Sequence, residues 1–113
     1  MSPTDQLFWL VALHFVADFQ LQSDFIAQNK SPGSNVNWPW VLSAHAAVHA
    51  AMVGFVLNPL FGLLEFITHW WLDYLKSKGA IGTGPFTFSL DQSLHIGLKL
   101  VWLGLFLAFP DLS

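Results

Sequence analysis

The sequence predicts an all-α protein, an integral membrane four-helix bundle with short loops that forms a single domain over residues 1–113. Hydrophobic residues make up 54% of the chain, charged residues only 10%, and mean hydropathy is +0.52, whereas soluble domains carry about a quarter charged residues. Turn-forming residues separate apolar segments of about 19 to 25 residues, each long enough to cross a hydrocarbon core. The predicted helices cover residues 4–28, 39–57, 60–78 and 88–109.

The first predicted helix, 4–28, has Ser2 or Thr4 as its cap and Asp5 in its first turn, where the helix dipole favours a negative charge. Its second half carries too many polar residues to face lipid on every side, so we expect that half to face protein or water. The following segment, 29–38, is dense in turn formers and ends the helix.

The second predicted helix, 39–57, begins at Pro39, a residue suited to the first helical position, and stops before Asn58. It carries His45 and His49. A neighbouring face of small residues predicts close packing against another helix, and this face consists of Ala44, Ala47, Ala51 and Gly54.

The short turn after the second helix predicts an antiparallel hairpin with the third helix, 60–78. The third helix places three polar side chains at four-residue steps, Glu65, His69 and Asp73. A glycine-rich segment, 79–87, precedes the fourth helix, 88–109, which repeats the same step at Asp91, His95 and Lys99.

Residues four apart lie on one face of a helix, so these polar groups form inward stripes. Counting about 1.5 Å per residue from the lysine-bearing helix ends places the stripes in two adjacent tiers within one half of the bilayer. Burying one unpaired ionisable group at membrane depth costs at least about 2.5 kcal/mol of free energy. Because the helices carry many such groups, we expect them to share a metal or to form a proton relay. The candidate metal ligands are Asp18, His45, His49, His69, Asp73, Asp91 and His95.

Three further residues are candidate catalytic groups. Glu65 is a candidate acid or base, His14 a candidate ligand or proton shuttle, and Lys99 a candidate to stabilise an anionic substrate or intermediate.

The ligand types indicate a divalent metal with zinc as the first choice, because the chain has no cysteine and offers only imidazole and carboxylate. The seven candidate ligands exceed the four positions of one tetrahedral coordination shell. A dinuclear site and a single metal with further carboxylates orienting its imidazoles both remain open.

The charge pattern predicts a membrane topology and excludes one partner class. Lys30, Lys76 and Lys78 fall on one side of an alternating four-span chain, so the positive-inside rule makes loops 29–38 and 79–87 cytoplasmic and both termini external. The N-terminus lacks the basic region of a signal peptide, so we expect the first helix to be retained. The absence of arginine and a net charge of −3 argue against nucleic-acid binding. The lipid bilayer is the expected partner, and association into a homo-oligomer remains open.

Several motifs, taken together, resemble a known family. They are His14-Phe-Val-Ala-Asp18-Phe-Gln-Leu-Gln22, Lys30, His45-x-x-x-His49, Glu65 with Thr68-His69, Asp73-x-x-Lys76 and Asp91-Gln92-x-x-His95. Over nearly the whole chain they resemble small bacterial and phage inner-membrane proteins classed as a domain of unknown function. The resemblance implies a bacterial inner-membrane location and supplies no reaction. The architecture is also similar in style to membrane-bound metal-dependent hydrolases.

The sequence favours a membrane metal-binding protein acting as a metal-dependent hydrolase on a membrane-accessible substrate. A bound water would be activated, and Glu65 or a free aspartate would accept its proton. Three alternatives remain open: a divalent-metal or proton transporter or channel, a haem-binding bundle, and a structural membrane protein with a stabilising metal. Confinement of the polar groups to one half of the bilayer argues against transport.

Overall fold

The computed structural model of the chain describes residues 1–79, 82 and 84–112. All regular structure in this part is helical, which confirms the predicted all-α class. Of the predicted loop 79–87, residues 80, 81 and 83 lie outside the described residues, as does residue 113. The elements are α1 (Pro3–Phe15), a π-helical turn (Val16–Gln20), α2 (Asp24–Asn29), α3 (Trp38–Val56), α4 (Pro59–Ser77), α5 (Thr87–Ala108) and a 3₁₀ turn (Pro110–Leu112).

The first predicted helix is interrupted, so the expectation of one helix over 4–28 was wrong. After α1 the chain widens into the π-helical turn and leaves helical geometry before α2. Ser23 has an extended backbone, and its Oγ accepts a hydrogen bond of 3.2 Å from the N–H of Ile26. This serine starts a new helix because its side chain satisfies an N–H that would otherwise lack a partner at the new helix start.

The four longest helices pack in the cyclic order α1, α3, α4, α5, so that each contacts two neighbours. Helices α3 and α4 form the predicted hairpin and share the most extensive interface, while α2 rests on α3. At the turn, Asn58 Oδ1 accepts a 3.1 Å hydrogen bond from the N–H of Phe61 and caps α4.

Helices α3 and α4 approach most closely at Gly62. A Cβ atom at this position would lie 2.8 Å from the carbonyl oxygen of Ala50 and 3.1 Å from Cα of Gly54. The predicted small-residue face is therefore only partly in the contact, because its three alanines are exposed. The inward face of α3 is occupied instead by the stripe that carries the histidines.

The interior has an apolar half and a polar half. The apolar half lies toward the chain termini and the α3–α4 turn, and it consists of Leu10, Val53, Val56, Phe61, Trp102 and Leu103. The same inward stripes continue toward the opposite end with histidines and acids, which are buried as deeply as the apolar residues. The fold thus places the polar half at the end that carries Lys30 and Lys76.

Helix α3 is the single element of the described chain with the length and apolarity of a membrane span. Helix α1 has 13 residues, and α4 and α5 carry the charged residues of the interior, which lower their mean hydropathy. The outer surface is nonetheless rich in large apolar side chains, among them Phe8, Phe55, Leu63, Trp71, Val101 and Leu107. Core helices of soluble proteins share the character of α3, so its composition alone does not establish a four-span arrangement.

Candidate metal centre

The first group of candidate ligands comes from three helical elements and shares one focus. Asp18, His45, His49 and His69 each offer one ligand atom, and these four atoms lie within 4.8 Å of one another. Asp18 Oδ1 is 3.0 Å from His49 Nε2 and 3.5 Å from His45 Nε2. The two α3 histidines and His69 of α4 are at most 2% exposed.

The π-helical turn carries Asp18 into this group. A π turn makes a local irregularity in a helix and occurs frequently at functional sites. Here it lets a residue near the end of α1 reach both histidines of α3, while Asp18 remains 3.7 Å from His14, four residues earlier.

Asp73 lies at the centre of the polar half and faces three histidines. Its Oδ2 atom is 3.4 Å from Nε2 of both His45 and His69, and its Oδ1 atom is 3.2 Å from Nε2 of His95. His69, Asp73 and His95 form a second group whose ligand atoms all lie within 4.8 Å. Asp91, one helical turn before His95, places Oδ1 3.1 Å from the same Nε2 atom.

The imidazole rings of three helices are stacked. The ring centroids of His49 and His69 are 3.9 Å apart, and those of His69 and His95 are 4.1 Å apart, with interplanar angles of 26° and 29°. The stack joins α3, α4 and α5 in one layer of histidines, and each of the three rings has a carboxylate oxygen within 3.4 Å of its Nε2 atom.

Several buried polar atoms lack a hydrogen-bond partner within the described chain. They are His45 Nε2, His49 Nδ1, His69 Nε2, Asp91 Oδ1 and His95 Nδ1. Three of them nevertheless lie 3.1 to 3.5 Å from an oppositely polar atom. Ligands at 2.0–2.2 Å from a tetrahedral metal are about 3.3–3.6 Å apart. The separations of 3.4 and 3.5 Å at His45 and His69 match the edges of such a shell, and the 3.1 Å separation at Asp91 is slightly shorter. A buried His/Asp group of this geometry can hold a metal ion.

Glu65 holds His69 in the tautomer that a metal requires. Its Oε1 atom lies 3.2 Å from His69 Nδ1 and 3.0 Å from Lys99 Nζ, and its Oε2 atom accepts a 2.8 Å bond from the Trp102 indole N–H. A carboxylate with three such donors is an acceptor, so His69 donates from Nδ1 and leaves Nε2 with a lone pair. Pairing of a ligand histidine with a carboxylate is the usual outer arrangement of metal sites.

A second chain of hydrogen bonds reaches Asp18 from the other side. Lys99 Nζ is 3.0 Å from His14 Nδ1, and His14 Nε2 is 2.8 Å from the Gln92 side-chain oxygen. The Gln92 amide then donates to Asp18 Oδ2 at 2.8 Å. Because lysine can only donate, His14 accepts at Nδ1 and donates at Nε2, so neither of its ring nitrogens is free for a metal.

Two lysines line the end of the site that is closest to solvent. Lys30 Nζ is 2.7 Å from the Gln22 side-chain oxygen and 3.3 Å from Asp73 Oδ2. Lys76 Nζ is 3.1 Å from Asp91 Oδ2. Their side chains are 17% and 36% exposed, whereas Lys99 is almost fully buried.

A family model described as a protein of unknown function (DUF3307) matches residues 6–111, nearly the whole chain. The chain belongs to the DUF3307 family. No curated protein and no solved structure matches it. Membership of a family of unknown function, which the sequence motifs predicted, is therefore confirmed, and it assigns no reaction to this DUF3307 chain.

The structure of this DUF3307 chain brings the seven candidate ligands into one continuous cluster, in which Asp73 and His69 join the two groups. The three candidate catalytic residues, Glu65, His14 and Lys99, lie together on the inner side of that cluster. Glu65 bonds to His69, His14 reaches Asp18 through Gln92, and Lys99 bonds to both Glu65 and His14. Their positions are those of groups that hold His69 and Asp18 in place.

Sequence reasoning did not assign four contacts of this site. Lys30 and Lys76 entered the sequence analysis through the topology and the family motifs, without assigned partners. The contact of Trp102 with Glu65 joins residues 37 positions apart and does not follow from spacing. Gln92 belongs to one of the family motifs, but its partner Asp18 lies 74 residues away in sequence. The four-residue step that relates Asp91, His95 and Lys99 was the one signal that pointed to a buried lysine.

Proposed function

We propose that this chain is an integral membrane metalloprotein of the bacterial inner membrane that uses a buried zinc ion to hydrolyse a membrane-accessible substrate. The proposed zinc ligands are those of the first group, Asp18, His45, His49 and His69. The observation that carries the proposal is the pair His45 Nε2 and His69 Nε2, which are buried, have no hydrogen-bond partner in the described chain and converge on carboxylate oxygens.

Zinc suits this donor set because imidazole and carboxylate without thiolate are typical of catalytic zinc. A bound divalent ion makes a coordinated water a nucleophile near neutral pH. The ligand-holding contacts of Glu65 and Lys99 face away from the lysine-lined end, so we assign these residues to orienting the ligands. Asp73, which contacts Lys30 at the lysine-lined end, would be the carboxylate available to a water bound there.

The outward-facing apolar side chains support a membrane location. A monomeric soluble protein exposes only limited contiguous apolar surface, whereas this chain directs phenylalanine, leucine and tryptophan outward from α1, α3, α4 and α5 and directs charges inward. Helices α3 and α4, each of 19 residues, are about 28 Å long, close to the thickness of the hydrocarbon core. We propose that the chain crosses the membrane four times, as the sequence predicts, with the lysine-bearing loops in the cytoplasm.

Transport is less well supported than hydrolysis. The apolar cluster of Leu10, Val53, Phe61 and Trp102 fills the bundle beyond Glu65, on the side away from the lysines. An ion that entered from the lysine side would meet this packed apolar region instead of a second polar site.

The metal is tested by elemental analysis of protein purified in detergent. We expect about one or more equivalents of zinc in the parent protein and a loss of metal in His49→Ala. Asp18→Asn should also lower the metal content, and Asp24→Asn, which removes an exposed carboxylate that belongs to neither ligand group, serves as its matched control. Metal-free parent protein after growth and dialysis with zinc would refute the proposal.

The reaction is tested with a membrane lipid extract as substrate pool. Zinc-loaded protein is incubated with the extract, and the products are compared by mass spectrometry with those from chelated protein and from His49→Ala. We expect a new hydrolysis product with the loaded parent alone. An unchanged pool despite stoichiometric zinc would refute hydrolysis of lipids and leave a stabilising role for the metal.

The membrane location is tested by alkaline carbonate extraction of cells that express the chain. An integral protein remains with the membrane pellet, and release of the chain into the supernatant would contradict the proposal.

A further inference from the structure

We propose that the centre binds a second divalent cation, held by Asp91 and His95 and bridged to the first by Asp73. This inference rests on the proposed metal centre and extends it to a two-metal site. Two-metal sites hold their ions about 3.5–4 Å apart and clamp the attacking and leaving oxygens of a hydrolysis reaction.

Asp73 has the geometry of a bridging carboxylate. Its Oδ2 atom faces His45 and His69, which belong to the first group, at 3.4 Å each. Its Oδ1 atom faces His95, which does not belong to that group, at 3.2 Å. One oxygen is thus directed to each of two neighbouring sets of ligand atoms.

Asp91 supplies an independent sign of a missing partner. The residue is 3% exposed, and its Oδ1 atom has no hydrogen-bond partner in the described chain although it lies 3.1 Å from His95 Nε2. A buried carboxylate oxygen without a donor is costly, and a cation shared with His95 and Asp73 would satisfy it.

Two lysines supply positive charge to the carboxylates at the end of the site that is closest to solvent. Lys30 contacts Asp73 Oδ2 and Lys76 contacts Asp91 Oδ2, so together they present two positive charges to the two proposed carboxylate ligands. Both side chains are partly exposed and can turn toward solvent when a cation binds. Lys76 contacts a proposed ligand of the second ion, so we expect Lys76 to compete with that ion. The Asp73 oxygen that Lys30 contacts is the one that faces the first group.

The charges of the interior are consistent with two ions. The carboxylates of Asp18, Glu65, Asp73 and Asp91 face one fully buried lysine, Lys99, which leaves three negative charges once the two outer lysines turn away. Two divalent ions and one bound hydroxide would neutralise them.

The test is the number of zinc ions bound per chain, measured by mass spectrometry of the metal after equilibration with excess zinc and removal of free ions. We expect two ions in the parent and one in both His95→Ala and Asp91→Asn, with Asp24→Asn retaining two. Circular dichroism verifies that each variant keeps its helical content, and Asp91→Asn provides the result if His95→Ala does not fold.

The outcomes separate this inference from the proposed function. A parent that binds no zinc refutes the metal centre as a whole. A parent that binds one ion at saturation refutes the second site and leaves the first intact. Two ions retained in both variants, or both ions lost from folded variants, would show that Asp91 and His95 do not form a separate site.

A second measurement addresses the lysines. Lys76→Met should tighten binding of the second zinc ion by roughly 2- to 5-fold, the range that corresponds to a partly exposed ion pair. Lys78→Met, which removes an exposed lysine outside the site, should leave the affinity unchanged. Weaker or unchanged second-ion binding in Lys76→Met would refute the competition.

Discussion

His69 shows how neighbouring side chains prepare one ring nitrogen for a metal. Glu65 accepts from Nδ1, and Lys99 and Trp102 donate to the same carboxylate, so these contacts favour one tautomer and one orientation of the imidazole. The opposite nitrogen, Nε2, faces Asp73 without a hydrogen bond. Residues outside the two ligand groups therefore determine which ring nitrogen of His69 is available to a metal.

Glu65→Gln is expected to lower zinc affinity by about 10- to 100-fold, the usual effect of losing an outer partner of a ligand histidine. A glutamine amide that donates to Nδ1 would favour the tautomer with a proton on Nε2. The measurement is competition with a zinc-sensitive chelator. Trp102→Phe removes one donor to Glu65 and keeps the carboxylate, so it should have a smaller effect, and equal affinities in parent and Glu65→Gln would contradict the assigned role.

Lys99→Met is expected to lower the free energy of unfolding by about 3–5 kcal/mol, because it leaves the buried Glu65 carboxylate without its cation. The side chains of Lys99 and Glu65 are 2% and 1% exposed. Unfolding in detergent measures the change, and Lys78→Met should stay within about 0.5 kcal/mol of the parent. Similar stabilities for the two variants would show that Lys99 is not paired as described.

At the scale of single residues, the sequence predicted which side chains share a face but not which partners they meet. Helix periodicity alone predicts that His69 and Asp73 lie on the same face of their helix. The bond from Gln92 to Asp18 and the bond from Trp102 to Glu65 join residues far apart in sequence, and they depend on helix rotation and rotamer. Neither quantity is encoded in spacing.

The elements differ in how far their sequences determine them. Prolines near the starts of α3 and α4 and asparagine at the α3–α4 turn set these helices as predicted. The segment after Phe15 did not follow its pattern, because the cap formed by Ser23 and the π-helical turn replaced a continuous helix. This local departure is also what carries Asp18 to the histidines of α3.

Gly62→Ala should destabilise the α3–α4 hairpin by about 1–3 kcal/mol, the usual cost of overpacking. The added methyl would lie 2.8 Å from a backbone oxygen, which cannot move aside as a side chain can. Gly54→Ala is the matched control, since its Cβ would meet its nearest atom at an ordinary 3.7 Å. Thermal unfolding compares them, and equal losses of stability would contradict the close contact at Gly62.

At the scale of the whole molecule, the arrangement is inverted relative to a soluble domain. Charged and imidazole groups occupy one half of the interior, and apolar side chains occupy the other half and much of the outer surface. Composition predicted this distribution because the chain has few charged residues and most of them lie on the helical stripes. Few charged side chains therefore remain for the outer surface. It could not predict that, among the described helices, only α3 has the composition of a span.

Zinc should stabilise the folded chain as a whole. A ligand present at 100 times its dissociation constant adds about 2.7 kcal/mol of stability, so we expect the thermal midpoint to rise by several degrees and to fall again with a chelator. The rise should disappear at acidic pH, where protons compete for the imidazole and carboxylate ligands. His49→Ala should show a smaller zinc-dependent rise than the parent because it lacks one ligand of the first ion, and a rise equal to that of the parent would contradict the proposed ligand set.

The packed apolar half of the bundle has a consequence for exchange between the centre and its surroundings. Leu10, Phe61 and Trp102 close the interior behind Glu65. Under the proposed function, ions and substrate would therefore enter and leave at the end that carries Lys30 and Lys76. In vesicles of uniform orientation, a membrane-impermeant chelator should strip the metal from one face only. A released product would occupy the same passage as the next substrate, which makes competitive product inhibition the expected kinetic behaviour.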